Sequence, residues 1–337
     1  HTGLMTYTLP LIMGIALAGY LALICGKGTP FGFARRLIVP FVLAILAGGL
    51  SETSLVVQGE LLILAAIGLA TFGSRTKRSA WIAPLMASIF GTLLAGVIVW
   101  AAPGNDVRQS LLASPAPWAQ VVRDSAYHAY LFAAQVKNHQ VGWGLVALAF
   151  SFLVGWRAGS AEELLGVGGR WGQRWMPLAG LPILVLGLIA SVMAPSAYAL
   201  GSYPDGRVLV IAHFVLAAGV VTWGLLAGLE ARYFAKNRSV ASVPGLGSVG
   251  TLMAAGVAGV LVIGFWGSTR TLAVDARQFA ASWDARAHQL SLAPADQTVE
   301  AASLTHMGGL AELDRDPNDW VNQCLSNAYG LHAVVAK

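Results

Sequence analysis

The chain has 337 residues, of which 56% are hydrophobic and 11% charged, with 21 Lys and Arg against 16 Asp and Glu. Soluble globular domains carry about 25% charged residues, so this composition excludes an ordinary soluble enzyme and points to a protein whose largest surface faces lipid. The net charge of +5 is not a nucleic-acid signature, because the basic residues are dispersed and form no single stripe.

A bilayer core of about 30 Å needs roughly 20 apolar residues as helix, and helices are the default because lipid offers no partner for free backbone groups. The stretches Tyr7–Cys25, Leu37–Leu50, Leu55–Phe72, Trp81–Ala102, Val141–Trp156, Trp175–Ala194, Val208–Leu229 and Val249–Trp266 are apolar all round. They predict an all-α, polytopic transmembrane bundle of about eight spans. Basic residues crowd into every second gap: Lys27, Arg35 and Arg36; Arg75, Lys77 and Arg78; Arg157, Arg170 and Arg174; Arg232, Lys236 and Arg238. Lys and Arg are retained on the cytoplasmic side. The alternation therefore predicts a multi-pass membrane protein with both ends of the chain extracytoplasmic. A chain that opens outside on His1-Thr2-Gly3-Leu4, with no basic leader, also predicts upstream sequence with at least one further span.

Two regions fall outside the expected spans. The outer loop 103–140 carries a mixed apolar and charged stretch, Trp118–Val136, which reads as a helix lying in the outer interface. The segment 268–337, set apart from a bundle over 1–267, is a small extracytoplasmic tail rich in acids. In it, Asp316-Pro317-Asn318-Asp319 predicts a helix start, with Asp316 as cap and Asp319 favouring the positive helix end. Gly330 is the predicted stop.

An ionisable residue inside a span is a functional candidate, because an unpaired charge in lipid is costly. Glu60 meets that description, and Glu52 lies just before it in the turn after the second span. Arg207 opens the seventh span from the outer side, where its planar fork suits a phosphate. His213 lies six residues deeper and is the one histidine well inside a span; a hydrogen bond to a neighbouring helix and a ligand role both remain open for it. With no intramembrane histidine pair, a b-type haem is not expected. Cys25 and Cys324 sit in no metal-binding pattern, so no metal and no cofactor are expected. The turn Pro103-Gly104-Asn105-Asp106 with Arg108 would place Asn105 and Arg108 at the outer mouth of a cavity. The glycine-rich run Gly166–Gly172 follows no strand and reads as an inner loop. Asp314-x-Asp316-x-Asn318 fails as a calcium loop because Asp319 replaces the required glycine.

Several segments recur together in one arrangement: Ser51-Glu52-Thr53, Pro103-Gly104-Asn105-x-x-Arg108, Tyr203-Pro204-x-x-Arg207, Trp283-Asp284-x-Arg286, and Asp316-Pro317-x-x-Trp320-Val321-Asn322-x-Cys324. Taken in order they resemble a bacterial family of polytopic membrane proteins described as predicted glucosyltransferases, similar to the GT-C-type enzymes that use lipid-phosphate-linked sugars. The resemblance implies sugar transfer on the outer face from a polyprenyl-phosphate sugar. Glu52 or Glu60 would be the general base, and Arg207 or Arg108, with Asn105, would hold the phosphate. The chain departs from the pattern in lacking an acidic pair before the second span. The alternative expectation is a non-catalytic accessory subunit of a larger membrane complex, electron-transfer or photosynthetic, with other subunits and membrane lipids as its partners.

Overall fold

The computed structural model describes residues 4–26, 32–73, 75–102, 116–139, 141–158, 171–204, 206–237, 256, 270, 274–304 and 312–337. The chain divides into two compact units, His1–Ala254 and Ala255–Lys337.

The first unit is built of helices. A π-helical turn, Leu4–Thr8, leads into α1 (Leu9–Gly26), followed by α2 (Phe33–Gly49), α3 (Glu52–Phe72), α4 (Arg75–Trp100), α5 (Trp118–His139), α6 (Val141–Ala158), α7 (Trp171–Ala199) and α8 (Gly206–Asn237). Among the described residues, six helical segments are long and apolar enough to cross a membrane: Thr6–Ile24, Glu52–Thr71, Arg78–Trp100, Val141–Ala158, Leu178–Ala199 and Gly206–Ala235. The expected second span forms α2, but at 17 residues with Pro40 inside it it falls short of that length. Of the expected eighth span, Val249–Trp266, only Gly256 is among the described residues, and Asn105 and Arg108 lie outside them. The glycine-rich run lies outside them up to Arg170, and its last glycine, Gly172, falls in the first turn of α7 instead of a loop. Each candidate span buries a third of its apolar window or less, so most of its surface needs a lipid or protein cover.

Small residues set the tightest contacts. Gly224 and Gly228 of α8, four apart, meet Ser151 and Phe152 of α6, while Gly155 of α6 meets the Leu225 carbonyl. A Cβ at any of these glycines would collide with the facing helix, so the seam is a small-xxx-small contact of the kind that brings membrane helices together. Residue numbers rise together along the seam, so α6 and α8 run parallel. Arg232 closes it, donating from Nη1 to the carbonyls of Trp156 at 2.7 Å and Arg157 at 2.9 Å. It thereby satisfies carbonyls that the end of α6 leaves open. Gly91 of α4 likewise lies against the Phe41 carbonyl and Ala44 of α2. Gln58 of α3 ties this pair to a third helix, donating from Nε2 to the Ala44 carbonyl at 2.9 Å and to Thr92 Oγ1 at 2.7 Å.

The helix ends sort into two groups. Thr6, Tyr7, Gly49 to Thr53, Val99, Pro195 to Leu200 (in part) and Val208 line one cavity. The starts of α1, α3 and α8 and the ends of α2, α4 and α7 therefore meet at one end of the bundle. Arg35, Arg36, Arg78, Arg157 and Arg232 sit at the opposite ends of their helices.

α5 crosses the cavity end obliquely. Trp118 stacks on Tyr198 with ring centroids 5.7 Å apart, and seventeen residues later Gln135 still accepts a hydrogen bond from the Tyr203 hydroxyl at 3.3 Å. That stretch of helix is about 25 Å long; it starts against the last turn of α7 and reaches the connection between α7 and α8 near its end. Its buried face carries Val121, Ser125, His128, Ala129 and Phe132, and its outer face exposes Trp118, Val122, Tyr127 and Tyr130.

The second unit, taken by itself, adds two strands to an otherwise helical expectation. Helix α9 (residues 274–292) is followed by β1 (Thr298–Ala301), α10 (Trp320–Tyr329) and β2 (Ala333–Ala336). The β-branched residues of Thr298-Val-Glu-Ala and Ala333-Val-Val-Ala suit a pleated pair. The strands lie parallel, Thr298 opposite Ala333 and Ala301 opposite Ala336. Leu290, Ala301, Leu313, Leu331 and Val334 make the core. α10 is capped by Asp319, whose carboxylate accepts from the Val321 amide at 2.8 Å, and not by Asp316. The Asp316 carboxylate instead accepts from the Asn318 amide at 2.9 Å, closing a local turn three residues ahead of the helix cap. Gly330 ends the helix in the left-handed region, φ 67°, as expected of a glycine stop.

Candidate functional site

Two cavities share α3, α4 and α7. The first is a polar chamber of about 340 Å³ at the cavity end of the bundle. The first turn of α3 gives it Glu52 and Thr53, with Ser51 just before them, α7 gives Ser196, and the N-terminal turn gives Tyr7. Ser51 and Thr53 are buried and Glu52 is half-buried. Glu52 also starts α3, where the positive helix end favours its charge. Val208 lines the chamber, and Arg207 beside it is exposed.

The second cavity is an open groove of about 720 Å³ lined by α3 and α4 and floored by Ser191 of α7. Its walls are Leu55, Val56, Gly59, Ile63 and Leu64 on one side and Leu93, Gly96, Val97 and Trp100 on the other. Glu60 stands in this apolar setting. Its Oε2 accepts from the Ser191 hydroxyl, and a Cβ at Gly187 would lie 3.4 Å from its Oε1. Gly187 and Ser191, one helical turn apart on α7, thus form the seat of the Glu60 carboxylate.

The structure brings Glu52 and Glu60 onto one helix, eight residues or about 12 Å apart. Arg207 stands at the rim next to the chamber, while Asn105 and Arg108 lie outside the described residues. His213 takes a local role: its Nδ1 donates to the Leu209 carbonyl of its own helix at 2.8 Å, and Phe132 meets its ring edge-on at 4.8 Å. Sequence reasoning missed Ser191 and Gly187. The spacing of two small residues four apart in an apolar helix was the available signal, but it does not say which side chain will sit on them. It also missed Ser125 Oγ and His128 Nδ1, which are buried on the inner face of α5 with no hydrogen-bond partner among the described residues. The ring of Tyr203 stands edge-on to His128 at 5.6 Å, and burial pushes the Tyr203 phenol above its ordinary pKa. Among the described residues no group of His, Cys, Asp and Glu is arranged to hold a metal ion.

Fold and site together define a helical, membrane-type bundle with a polar chamber at one end and an acid-bearing apolar groove beside it. No family model, no curated protein and no solved structure matches the chain.

Proposed function

We propose that the chain is an integral membrane glycosyltransferase-like protein acting on a lipid-phosphate-linked sugar at the extracytoplasmic face of a bacterial inner membrane. The observation that carries this reading is the placement of the polar Glu52 chamber next to the apolar Glu60 groove on the same three helices. An amphiphile needs both surfaces at once. The helix-end grouping supports the orientation, since the basic ends would face the cytoplasm and the chamber would then face outward. The expected eight spans and the outer location of the tail belong to the same proposal.

In this reading the donor phosphate rests near Arg207, with Arg108 and Asn105 as further holders. The acceptor hydroxyl loses its proton to a carboxylate, Glu52 or Glu60. Its oxygen bonds the anomeric carbon, and the bond from that carbon to the phosphate oxygen breaks, the phosphate keeping the electron pair. The test is transfer of a radiolabelled sugar from polyprenyl-phosphate sugar by the full chain in vesicles. Arg207→Ala is expected to abolish donor binding, and Glu52→Gln or Glu60→Gln to abolish transfer while donor binding remains. Absence of donor binding by the wild-type chain would remove the reading.

The exposed apolar faces favour a second reading, an accessory subunit of a larger membrane complex. The span Val141–Ala158 has 11% of its window buried, which leaves a wide side for a partner. Co-elution of the same partner after mild solubilisation would support it, and a stable lone monomer would count against it.

A further inference from the structure

We propose that the groove between α3 and α4 binds a lipid alcohol, a neutral membrane compound with a hydroxyl on an apolar skeleton, and that this hydroxyl donates to Glu60 beside Ser191. The inference rests on the glycosyltransferase-like reading, in which that lipid would be the sugar acceptor.

The groove selects its occupant in three ways. Its walls are Leu, Ile, Val and Trp side chains, so the occupant's body is apolar. Its hydrogen-bonding demand is for a donor: a carboxylate has about four acceptor sites, and among the described residues Glu60 uses one, for the Ser191 hydroxyl. Thr92, the other polar residue on the wall, is committed, accepting from Gln58 at 2.7 Å and donating to the Ser88 carbonyl at 2.9 Å. The charge of Glu60 also opposes fatty acids and phospholipid phosphates, because like charges brought together cost binding energy.

Depth excludes the other class of acceptor. Glu60 lies about 12 Å along α3 from Glu52, two helical turns deeper in the bundle. A peptide hydroxyl arriving from water would have to shed its hydration to reach it, whereas a lipid alcohol enters sideways from the bilayer.

The glycines of the groove support the same conclusion. A Cβ at Gly59 would meet Thr92 Cγ2 at 3.8 Å, and one at Gly96 would meet Leu55 Cδ2 at 3.6 Å. Both are ordinary contacts. Helix packing does not demand glycine at either position, in contrast to Gly224 and Gly228, so these two glycines leave space in the groove rather than permit a close helix contact. In the transfer step the lipid hydroxyl proton passes to Glu60 as its oxygen bonds the anomeric carbon. The departing phosphate takes the electron pair of the bond that breaks.

The experiment uses the full chain in nanodiscs, with retinol as the hydroxylated probe and retinyl acetate as the same skeleton with its hydroxyl blocked. Energy transfer from protein tryptophan, Trp100 being at the groove, reads the dissociation constants. Retinol is expected to bind at least tenfold more tightly than retinyl acetate. Glu60→Leu should erase that preference, and Glu60→Gln, which keeps one acceptor oxygen, should reduce it. Gly59→Leu should weaken both probes about tenfold by filling the groove; circular dichroism reports whether each variant is folded. Equal affinity of the two probes, a preference that survives in folded Glu60→Leu, or tighter binding of retinylamine than of retinol would each overturn the proposal. Retinol preference without sugar transfer leaves this inference standing and sinks the glycosyltransferase reading. Transfer to a water-soluble acceptor without retinol preference does the reverse.

Discussion

Two carboxylates in this protein are held in opposite ways. Glu312, in the second unit, accepts four hydrogen bonds: from Arg286 Nη1 at 2.6 Å, from Arg286 Nη2 at 3.4 Å, and from the amides of Leu304 at 3.2 Å and Leu313 at 3.4 Å. That equals in number a carboxylate's roughly four acceptor sites, three of the bonds falling on Oε2 and one on Oε1, and both partners are nearly sealed from solvent, 5% and 3% exposed. Glu60, in the first unit, accepts from one hydroxyl among the described residues and stands in an open apolar groove. A saturated carboxylate is consumed by the fold, while one with spare capacity in a cavity is available to a ligand. Saturation separates the two better than burial does.

Breaking the saturated side should give the largest effect. Glu312→Gln leaves Arg286 buried without its counter-charge, and loss of one partner of a buried pair costs about 3–5 kcal/mol. Amide hydrogen exchange at Leu304 and Leu313 in the full chain measures it. The same pair sets a pH dependence. Burial alone would raise the pKa of Glu312, but the Arg286 hydrogen bond, the two amides and the Arg286 charge outweigh it and hold the carboxyl below its ordinary value. A carboxyl depressed in the folded state stabilises fully above its unfolded pKa. Exchange protection of the second unit should therefore be flat near neutrality. It should fall as the pH drops from the ordinary carboxylate range through the lower folded value. In Glu312→Gln that acid-side fall should shrink; an unchanged profile would assign it to another group.

Asn322 offers the next test on the saturated side. It is fully buried, donates to the carbonyls of Asp314 and Asp316 at 2.7 Å each, and accepts from the Asp314 amide at 3.1 Å. Asn322→Ala orphans those groups, and each unpaired buried group costs about 1–3 kcal/mol. A loss of about 2–3 kcal/mol in the same exchange measurement is expected, because local shifts can re-pair some of them. Gln58 carries the comparison into the bundle. Hydrogen bonds between membrane helices average about 0.6 kcal/mol and reach about 1.7, so Gln58→Leu should destabilise by about 1 kcal/mol in a detergent unfolding series. A loss as large as that at Glu312 would mean that the α2–α3–α4 contact depends on this one amide.

The parts of the molecule differed in how far the sequence exposed them. Spans such as Leu55–Phe72 and Val208–Leu229 were legible because lipid demands a long apolar run, and α3 and α8 cover both. α2 was legible as a helix but not in its length or in its seat on Gly91, since a glycine in an apolar run does not announce what it faces. Tail residues that looked like functional motifs became architecture. Arg286 pairs with Glu312 while its guanidinium lies 4.6 Å from the centre of the Trp283 ring, and Asn322 latches the turn before α10. At the site, Glu60 stood out because a charge in an apolar run is costly, and Glu52 because of its place in the turn. Ser191 lies 131 residues from Glu60, and no local pattern encodes a pairing at that separation. The cap of α10 was misassigned for a related reason: Asp316 and Asp319 carry the same chemistry, and only the backbone decides which of them faces the open amides.

The smallest stability effect is expected where the functional effect is largest. Glu60→Leu removes one interhelical hydrogen bond, worth well under about 2 kcal/mol, but adds apolar surface to a groove that already faces lipid. The two changes oppose each other, so unfolding in detergent should shift by less than about 1 kcal/mol in either direction. Sugar transfer and the preference for a hydroxylated lipid should both disappear. If Glu60→Leu instead unfolds the bundle as severely as Glu312→Gln unfolds the second unit, Glu60 is a structural carboxylate, and the contrast drawn from hydrogen-bond saturation fails at the position where it matters most.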